Sequence, residues 1–280
     1  MQYAIISDIH SNIETLEKHR TKLEELAKTK RVVFAGDYVD GYKQEPGGGV
    51  KVLEFIKEFE EKHNALVLLG NHDLVFLKAL GYRTPKSLQE QNFIHWLNIG
   101  GETSLISWIQ HFVPVFKQRY QLLEELIDRQ SLYAFENFIH KYMQPLVDWL
   151  NEHDFYHQDE KLFISHAGVD LDKSLAHQTE DDFVWTRNEM FDTSLTYDEV
   201  HPDWQDKVFV FGHTPTCFIR NHYGIQDANP YSVYKPATNI DMYDIDAGSH
   251  SGYHTQHLNL FIIDNQGQVI DQEFLTAYKG

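Results

Sequence analysis

Side chains that can bind metal ions follow five short apolar runs of this 280-residue sequence, at the point where each run ends. They are two carboxylates, three imidazoles and one amide, namely Asp8, His10, Asp37, Asn71, His166 and His213. Oxygen ligands suit hard cations, whereas imidazole suits zinc and iron. Three to four ligands per ion, with one carboxylate shared, match a pair of divalent ions about 3.5–4 Å apart. Five such endings in one chain are hard to explain without a shared metal site.

The apolar runs indicate strands that are buried on both faces, because they are short and rich in Val, Ile, Leu and Phe. They recur at residues 3–6, 32–35, 66–69, 162–164, 208–211 and 260–263. In open α/β sheets, ligands bind at the carboxyl ends of the strands. Glycine or serine stands directly before most of the metal-competent side chains, which allows a tight turn there. We therefore expect these strand ends to converge on one site.

Helical patterns separate several of these runs and indicate a layered α/β fold. The first helix is expected to begin near Ser11, which opens a sequence with capping-box spacing. Long helical patterns at 120–132 and 135–150 lie in a region with almost no strand signal. We expect one domain over residues 1–280, with a helical insertion or cap at about 85–155.

Composition limits the classes of partner. The 42 acidic and 24 basic residues give a formal charge of −18, which argues against binding of nucleic-acid duplexes, because that needs a basic face. The single cysteine, Cys217, cannot form a disulfide within the chain, and a reduced compartment is the simpler interpretation. The first residues do not have the pattern of a secretory signal, and no run approaches the ~20 apolar residues of a membrane helix. We expect a cytoplasmic protein without a membrane partner.

The strings around the metal-competent residues resemble those of the calcineurin-like metallophosphoesterases. The matching strings are Asp8-Ile9-His10, Gly36-Asp37-Tyr38-Val39-Asp40, Gly70-Asn71-His72-Asp73, His166-Ala167-Gly168 and Gly212-His213-Thr214. Their order and rough spacing also match, and the segment from Trp96 to Leu105 looks like one found in bacterial members. The resemblance is closest to the phosphoprotein phosphatase branch, which includes bacterial serine/threonine phosphatases and symmetrical diadenosine tetraphosphatases.

The resemblance implies an α/β fold with a β-sandwich core flanked by helices. It also implies two divalent metal ions, which could be Mn, Fe or Zn. Asp8, His10 and Asp37 would hold the first ion, and Asp37 would bridge to the second. The ligand set of the second ion would be completed by Asn71, His166 and His213.

Three further roles follow from the same resemblance. His72 would face the leaving group, with Asp40 as its partner. Asn71 would also contact the substrate phosphate. The segment Trp185-Thr186-Arg187 resembles one that supplies a phosphate-binding arginine, so Arg187 is the candidate for that role.

The sequence departs from the family pattern at one position that bears on the substrate. The family usually has arginine directly after the second Asp of the Gly-Asp string, whereas this chain has Gly41 there. Lys43 or Arg187 are the candidates to compensate. Thr214 and Pro215 follow His213 in place of the Gly-His-x-His string of the wider family, which supports the phosphoprotein phosphatase branch.

The function implied is hydrolysis of a phosphomonoester by direct attack of a metal-bound hydroxide, as in a protein serine/threonine phosphatase. The substrate would be a phosphorylated protein or a small phosphate ester. One alternative is cleavage of a dinucleoside polyphosphate or another small phosphodiester, and a second is a non-catalytic metal-dependent binding module. A cysteine-dependent phosphatase is a poor candidate, because Tyr223 and not arginine lies six residues after Cys217. No P-loop string occurs either.

Several residues have simpler interpretations that stay open at this point. Asp8 and His10 could cap the first helix, and Asp37 and Asp40 could be turn residues. His250, His254 and His257 could form a solvated loop or bind a metal, and Asp246 could support a ligand histidine. We expect the aromatic residues of the helical region to form its core, namely Trp108, Phe112, Tyr120 and Phe135.

Overall fold

A computed structural model describes residues 1–41, 45–192, 194, 196–226, 229–236, 240–250 and 257–277 of the chain. In chain order its strands are β1 (Gln2–Ile6), β2 (Arg31–Ala35), β3 (Leu66–Leu68), β4 (Tyr156–Asp159), β5 (Leu162–Ser165), β6 (Val208–Phe211), β7 (Asp241–Asp244), β8 (His257–Asp264) and β9 (Val269–Thr276). Each of the six predicted apolar runs coincides with a strand, although β3 ends one residue before the end of the predicted run 66–69, and β4, β7 and β9 were not predicted.

The strands form two sheets. The first has the order β3-β2-β1-β8-β9, in which β1, β2 and β3 are parallel and β8 and β9 run antiparallel to their neighbours. The second has the order β4-β5-β6-β7, in which β5, β6 and β7 are parallel. The carboxyl ends of six parallel strands are therefore available to build a site.

Alternate residues of each strand face two different cores, which is why the runs are apolar throughout. Ile5 and Val33 pair in register and belong to the core between the sheets, which they share with Ile164 and Val210. Their neighbours along the strands, such as Phe34, belong instead to the core beneath the helices. Each fully buried side chain of this kind stabilises the fold by about 1.5–3 kcal/mol. The predicted β-sandwich flanked by helices is confirmed.

The helices in chain order are α1 (Ile13–Ala27), α2 (Gly48–His63), α3 (Asn71–Ala79), α4 (Gln89–Trp96), α5 (Glu102–Phe112), α6 (Phe116–Leu123), α7 (Leu132–Tyr142), α8 (Gln144–Asn151), α9 (Glu180–Trp185) and α10 (Thr216–His222). The N-cap of α1 is Asn12, whose side chain accepts a hydrogen bond from the Thr15 amide at 3.2 Å. Ser11 does not cap the helix. It has a left-handed backbone, with φ of 62°, and its hydroxyl donates to the Asp40 carbonyl.

Helices are joined by short loops, with no strand, between residues 86 and 151, and this helical segment packs on α3 through aromatic side chains. The ring of Phe76 on α3 lies 5.2 Å from Trp96 and 5.3 Å from Trp108. Phe135 stacks on Phe93 at 4.6 Å, and both are fully buried. The packing explains why these large aromatic residues lie in a region without strands.

Two details of the predicted helical segment are wrong. Tyr120 does not belong to its core, since 66% of its surface is exposed. The helix predicted at 135–150 breaks at Met143, where φ is −132°, and α8 begins at the next residue. Pro145 explains the break, because a proline lacks the amide donor and its ring would clash with a carbonyl of the preceding turn. Residues 124–128 continue α6 as a π-helical stretch, so the predicted pattern at 120–132 is helical up to residue 128.

None of the helices in the described ranges is both long enough and apolar enough to cross a lipid bilayer.

Candidate metal centre

Each of the six candidate ligands lies just beyond the carboxyl end of a parallel strand. Asp8 and His10 follow β1, Asp37 follows β2 and Asn71 follows β3 in the first sheet, while His166 and His213 follow β5 and β6 in the second. All six side chains are buried, with at most 7% of their surface exposed. The two sheets thus contribute to one cleft of about 450 Å³.

The ligand atoms form two groups that share one carboxylate. The Asp37 Oδ2 lies 3.4 Å from His10 Nε2 and 3.3 Å from His166 Nε2. Asp8, His10 and Asp37 make one group, and Asp37, His166 and His213 make another, with the ligand atoms of each group within 4.8 Å of one another. A carboxylate common to two groups is the arrangement expected of a bridged pair of ions.

Asn71 belongs with the second group. Its Oδ1 lies 3.0 Å from His166 Nε2 and 2.9 Å from His213 Nδ1. An amide oxygen between two imidazole nitrogens marks the point where all three could face one cation. The structure therefore brings all six predicted residues together in the division that the family resemblance implies.

The buried charges of the site depend on one another. Burial alone would raise the pKa of Asp37, but the charges of His166 and His72 hold that pKa well below its usual value. Burial likewise opposes charge on His166, yet the carboxylates of Asp37 and Asp8 outweigh it and raise the pKa of His166 to about 10. Burial raises the pKa of Asp8 to about 6. Protonated imidazole here compensates buried carboxylates, a role that divalent cations take over when they bind.

The backbone of the site lies in a sparsely populated conformation. Left-handed φ angles between 45° and 69° occur at five residues of the site, namely Asp8, His10, Asp37, Asp40 and His213. Each such residue costs of order 1–3 kcal/mol, and such costs are concentrated at functional sites. This left-handed conformation accompanies loops whose side chains are buried in the site.

The glycines before the ligands leave room for neighbouring ligands. A Cβ on Gly212 would overlap the carboxylate of Asp8, and a Cβ on Gly70 would overlap that of Asp37. A Cβ on Gly36 would lie 2.8 Å from His166 Nδ1. Glycine therefore recurs directly before the ligands because a larger side chain there would collide with a neighbouring ligand, and not only because the backbone turns tightly.

Asp73 has a structural role that the sequence did not reveal. Its carboxylate accepts hydrogen bonds from the amides of Asp37, Tyr38 and Gly70, at 2.7–3.0 Å. These bonds hold the loop of the bridging residue against the start of α3. The position of Asp73 beside His72 in a matching string was the one available signal.

His72 and Asp40 form a pair at the edge of the ligand groups. His72 Nδ1 lies 2.9 Å from Asp40 Oδ2, which leaves Nε2 for the cleft. Burial opposes charge on His72, but the Asp37 charge and the hydrogen bond with Asp40 raise its pKa to about 9. The imidazole is therefore protonated at neutral pH and oriented by a carboxylate.

The helical segment holds Asp40 in place. The Ser104 hydroxyl donates to Asp40 Oδ1 at 2.6 Å, and the Trp96 indole donates to Asp40 Oδ2 at 3.2 Å. Sequence reasoning missed both contacts. The signal was the segment from Trp96 to Leu105, which resembles one in bacterial phosphatases but suggests no specific contact.

Loss of the Ser104 hydroxyl should weaken the orientation of Asp40 and so of His72. A hydrogen bond to a charged group is worth about 1.5–3 kcal/mol, so we expect Ser104→Ala to lower kcat by roughly tenfold without changing metal content. Ser107→Ala is the matched control, because Ser107 is buried on the same helix but its hydroxyl donates to the Glu45 carbonyl. Steady-state kinetics and elemental analysis of both variants would test this, and equal rates in the two would contradict it.

Arg187 lies beside the second ligand group. Its guanidinium donates to Thr214 Oγ1 at 3.1 Å and lies 2.9 Å from His213 Nε2. The other candidate, Lys43, lies outside the described residues. Gly41 has φ of 145°, and a Cβ there would lie 2.7 Å from the His10 carbonyl oxygen. The loop conformation in this chain thus excludes an arginine at position 41.

The remaining candidates lie in different places. His250 lines the cleft, whereas the ring of His257 packs on Phe274 at 4.6 Å, and His254 lies outside the described residues. Asp246 is buried at the cleft, and it accepts a hydrogen bond from the Gly248 amide at 2.7 Å. That bond supports a turn of the backbone and not a ligand histidine.

The donor set fits two divalent ions on its chemistry. It combines carboxylate and amide oxygens with imidazole nitrogens, and no thiolate is among them. Such a set accepts Mn, Fe, Zn or Mg and does not identify one of them. The buried carboxylates of Asp8 and Asp37 need a compensating positive charge, which bound cations would supply in place of protonated imidazole.

Comparison with known proteins agrees with this geometry. The sequence profile of the calcineurin-like phosphoesterases matches residues 1–243. No curated protein matches the chain in sequence. Among solved structures, one described as a proposed diadenosine tetraphosphatase is 15% identical, with a TM-score of 0.53, over 100% of this chain and 95% of the other.

Two further solved structures are similar in fold. A metallophosphoesterase from Sphaerobacter thermophilus is 13% identical, with a TM-score of 0.50, over 100% of this chain and 89% of the other. Hypothetical protein PH1004 from Pyrococcus horikoshii OT3 is 12% identical, with a TM-score of 0.50, over 98% of this chain and 87% of the other. At such low identity the likeness concerns the fold alone. On the family profile, which spans most of its length, this chain belongs to the calcineurin-like phosphoesterases and is a metal-dependent hydrolase.

Proposed function

We propose that this protein hydrolyses phosphomonoesters at a pair of divalent ions, in the manner of a protein serine/threonine phosphatase. The observation that supports this most is the pair of ligand groups joined by Asp37, with the His72–Asp40 pair beside them. Asp8, His10 and Asp37 would hold one ion, and Asp37, Asn71, His166 and His213 the other. A cytoplasmic location stays a prediction, as does the division into one domain with a helical insertion.

When bound, two divalent ions lower the pKa of coordinated water toward neutrality and neutralise phosphoryl oxygens. Side chains of the protein supply the proton for the leaving group and bind the phosphoryl group. His72 has its Nε2 in the cleft and donates a proton to the departing oxygen, and Asp40 keeps the ring in that orientation. Asn71 and Arg187 contact the phosphoryl group from the side of the second ligand group.

The contact of Arg187 with His213 depends on which nitrogen of that imidazole carries the proton. The pKa of His213 is lowered, first by burial and then by the charges of His166 and Arg187, so its imidazole is neutral and Nε2 can accept from the guanidinium. If His213 held the ion through Nδ1, its one remaining proton would lie on Nε2, since neutral imidazole carries only one. Arg187 would then lose this acceptor, and a phosphoryl oxygen could replace it as a charge-assisted partner.

Removal of the Arg187 guanidinium should therefore weaken transition-state binding. We expect Arg187→Ala to lower kcat/KM by roughly 10²-fold, the lower range for one electrostatic donor at a transition state, and Arg187→Lys to restore only part, because lysine cannot donate in a fork. Arg129→Ala, at an exposed position, is the control. Steady-state kinetics would test this. An unchanged kcat/KM in Arg187→Ala would show that Arg187 does not bind the phosphoryl group.

A second candidate substrate class is supported by a cavity next to the cleft. This cavity has a volume of about 700 Å³ and is lined by aromatic and polar side chains that include Arg187, Phe191, Thr214, Phe218 and Tyr223. Arg187 and Phe218 line the cleft as well. A cavity of this size accepts a drug-sized organic group, such as the nucleoside of a dinucleoside polyphosphate.

The test is a substrate panel on purified protein with added Mn²⁺. We expect turnover of an aryl phosphate that EDTA abolishes. Comparison of kcat/KM for a phosphoserine peptide, for diadenosine tetraphosphate and for a small alkyl phosphate then separates the two substrate classes. Absence of turnover of every phosphate ester with two bound ions would favour the third interpretation, a metal-dependent binding module.

A further inference from the structure

Three imidazoles form a nearly equilateral triangle at the mouth of the cleft. The ring centres of His10 and His72 are 5.0 Å apart, and that of His250 lies 4.7 Å from the first and 4.9 Å from the second. One ring nitrogen of each lies within 4.8 Å of the other two. With Zn–N distances of about 2.0 Å, three imidazoles on a tetrahedral ion have ring centres roughly 5 Å apart. The triangle matches that spacing.

The second nitrogen of two of these rings is already held. His10 Nδ1 lies 3.3 Å from the Val39 carbonyl oxygen, and His72 Nδ1 lies 2.9 Å from Asp40 Oδ2. A carbonyl or carboxylate on the far nitrogen is the usual setting of a metal-binding histidine, because it fixes the ring and its tautomer. Both rings therefore present Nε2 to the space they share with His250.

His250 has a buried ring nitrogen without a hydrogen-bond partner among the described residues. Its Nδ1 is shielded from solvent, and the structure gives it no hydrogen-bond partner among the described residues. A buried polar atom without a partner costs about 1–3 kcal/mol. The turn that leads to His250 is nonetheless well held, since the Asp246 carboxylate accepts from the Gly248 amide and the Ser249 hydroxyl donates to the His257 carbonyl.

We propose that His10, His72 and His250 form an alternative binding site for a transition-metal ion of the zinc class, and that this ion inhibits the enzyme. The ligands are three imidazoles without a carboxylate, a set that suits zinc, copper or nickel better than manganese or magnesium. The site is distinct from the two ligand groups at Asp37, although it shares His10 with the first of them.

Sharing of His10 makes the two sites mutually exclusive. His10 has one nitrogen for the cleft, and that nitrogen serves either the group of Asp8 and Asp37 or the triangle. An ion in the triangle would displace the proton of His72 Nε2 into solvent and so remove the proton donor. This consequence for activity rests on the proposed function, whereas the binding of the ion does not.

The experiment adds Zn²⁺ to protein loaded with Mn²⁺. We expect zinc to inhibit turnover of an aryl phosphate, excess Mn²⁺ to relieve the inhibition, and crystals to show an anomalous zinc peak among the three imidazoles. His250→Ala should raise the zinc concentration for half-inhibition by at least about tenfold, the lower range for loss of a group that supports a metal site. Each variant is compared with its own Mn²⁺-dependent rate.

His250→Gln tests the same ligand with a side chain of similar length, and His95→Ala, at an exposed position on α4, is the control. Equal zinc sensitivity in wild type, His250→Ala and His250→Gln would overturn the proposal. So would a zinc peak only among Asp37, His166 and His213. A zinc peak in the triangle of a protein without any turnover would refute the proposed function and retain the zinc site.

Discussion

Replacement of Asp37 by alanine is expected to remove both metal ions and to lower kcat by at least about 10³-fold. The carboxylate lies within 3.4 Å of imidazoles from both ligand groups, so its loss takes a ligand from each ion at once. Two ions supply several kcal/mol of transition-state charge stabilisation, and about 4 kcal/mol corresponds to roughly 10³ in rate. Elemental analysis after gel filtration, together with aryl phosphate turnover, measures both effects.

The design of this test has to separate loss of the bridge from loss of the fold. Asp37 also accepts the His72 amide at 3.0 Å, so Asp37→Asn is a useful second variant that retains an acceptor of the same shape. Asp128→Ala, at an exposed position of the helical segment, is the control for a lost negative charge. Two ions per chain retained in a folded Asp37→Ala protein would contradict the bridging role.

The strands that the sequence predicted are those that face two cores. Strands such as β1 and β6 are buried along almost their whole length, so they appear as continuous apolar runs. The three strands it did not predict, β4, β7 and β9, all lie at sheet edges and carry polar residues. β4 reads Tyr-His-Gln-Asp and is only partly buried, while β9 exposes residues 270–272. An edge strand buries less, so periodicity alone gives little signal for it.

The candidate ligands were predictable because each stands at the end of a buried strand, where sequence position and spatial position are linked. Contacts between distant segments were not. The hydrogen bond from Ser104 to Asp40 joins residues 64 positions apart, and an aromatic-rich helical pattern predicts only a core. The left-handed backbone at Asp8 and Asp37 was equally hidden, because neither residue type requires it.

The N-cap of α1 shows how local rules can be overridden. Ser11 has capping-box spacing, yet its hydroxyl is used to hold the Asp40 carbonyl, and the cap moves to Asn12. A cap contributes about 1 kcal/mol to helix stability. Because Asn and Ser are similarly good caps, the use of Asn12 in place of Ser11 does not destabilise the helix. The requirement to fix the Asp40 loop therefore decides which residue caps the helix.

Replacement of His72 by asparagine is expected to lower kcat by roughly 10²–10⁴-fold, the usual contribution of one general acid, while both ions remain bound. The effect should be largest for alkyl phosphates, whose alkoxide needs the proton most, and smaller for an aryl phosphate with an acidic phenol. His95→Asn, on the exposed face of α4, is the matched control. Wild-type rates with alkyl substrates in His72→Asn would refute the acid role.

The pH profile gives an independent measure of the same residue. The pKa of His72 is raised to about 9, so the imidazole is protonated below that pH and loses the catalytic proton as pH rises through it. Activity should therefore fall on the basic side. Cations bound beside Asp37 cancel part of the negative charge that raises this pKa, so the fall should come at or below pH 9 in the loaded enzyme. His72→Asn should lack this basic limb, because the group that titrates is gone, and a limb that persists unchanged would assign the titration to another group.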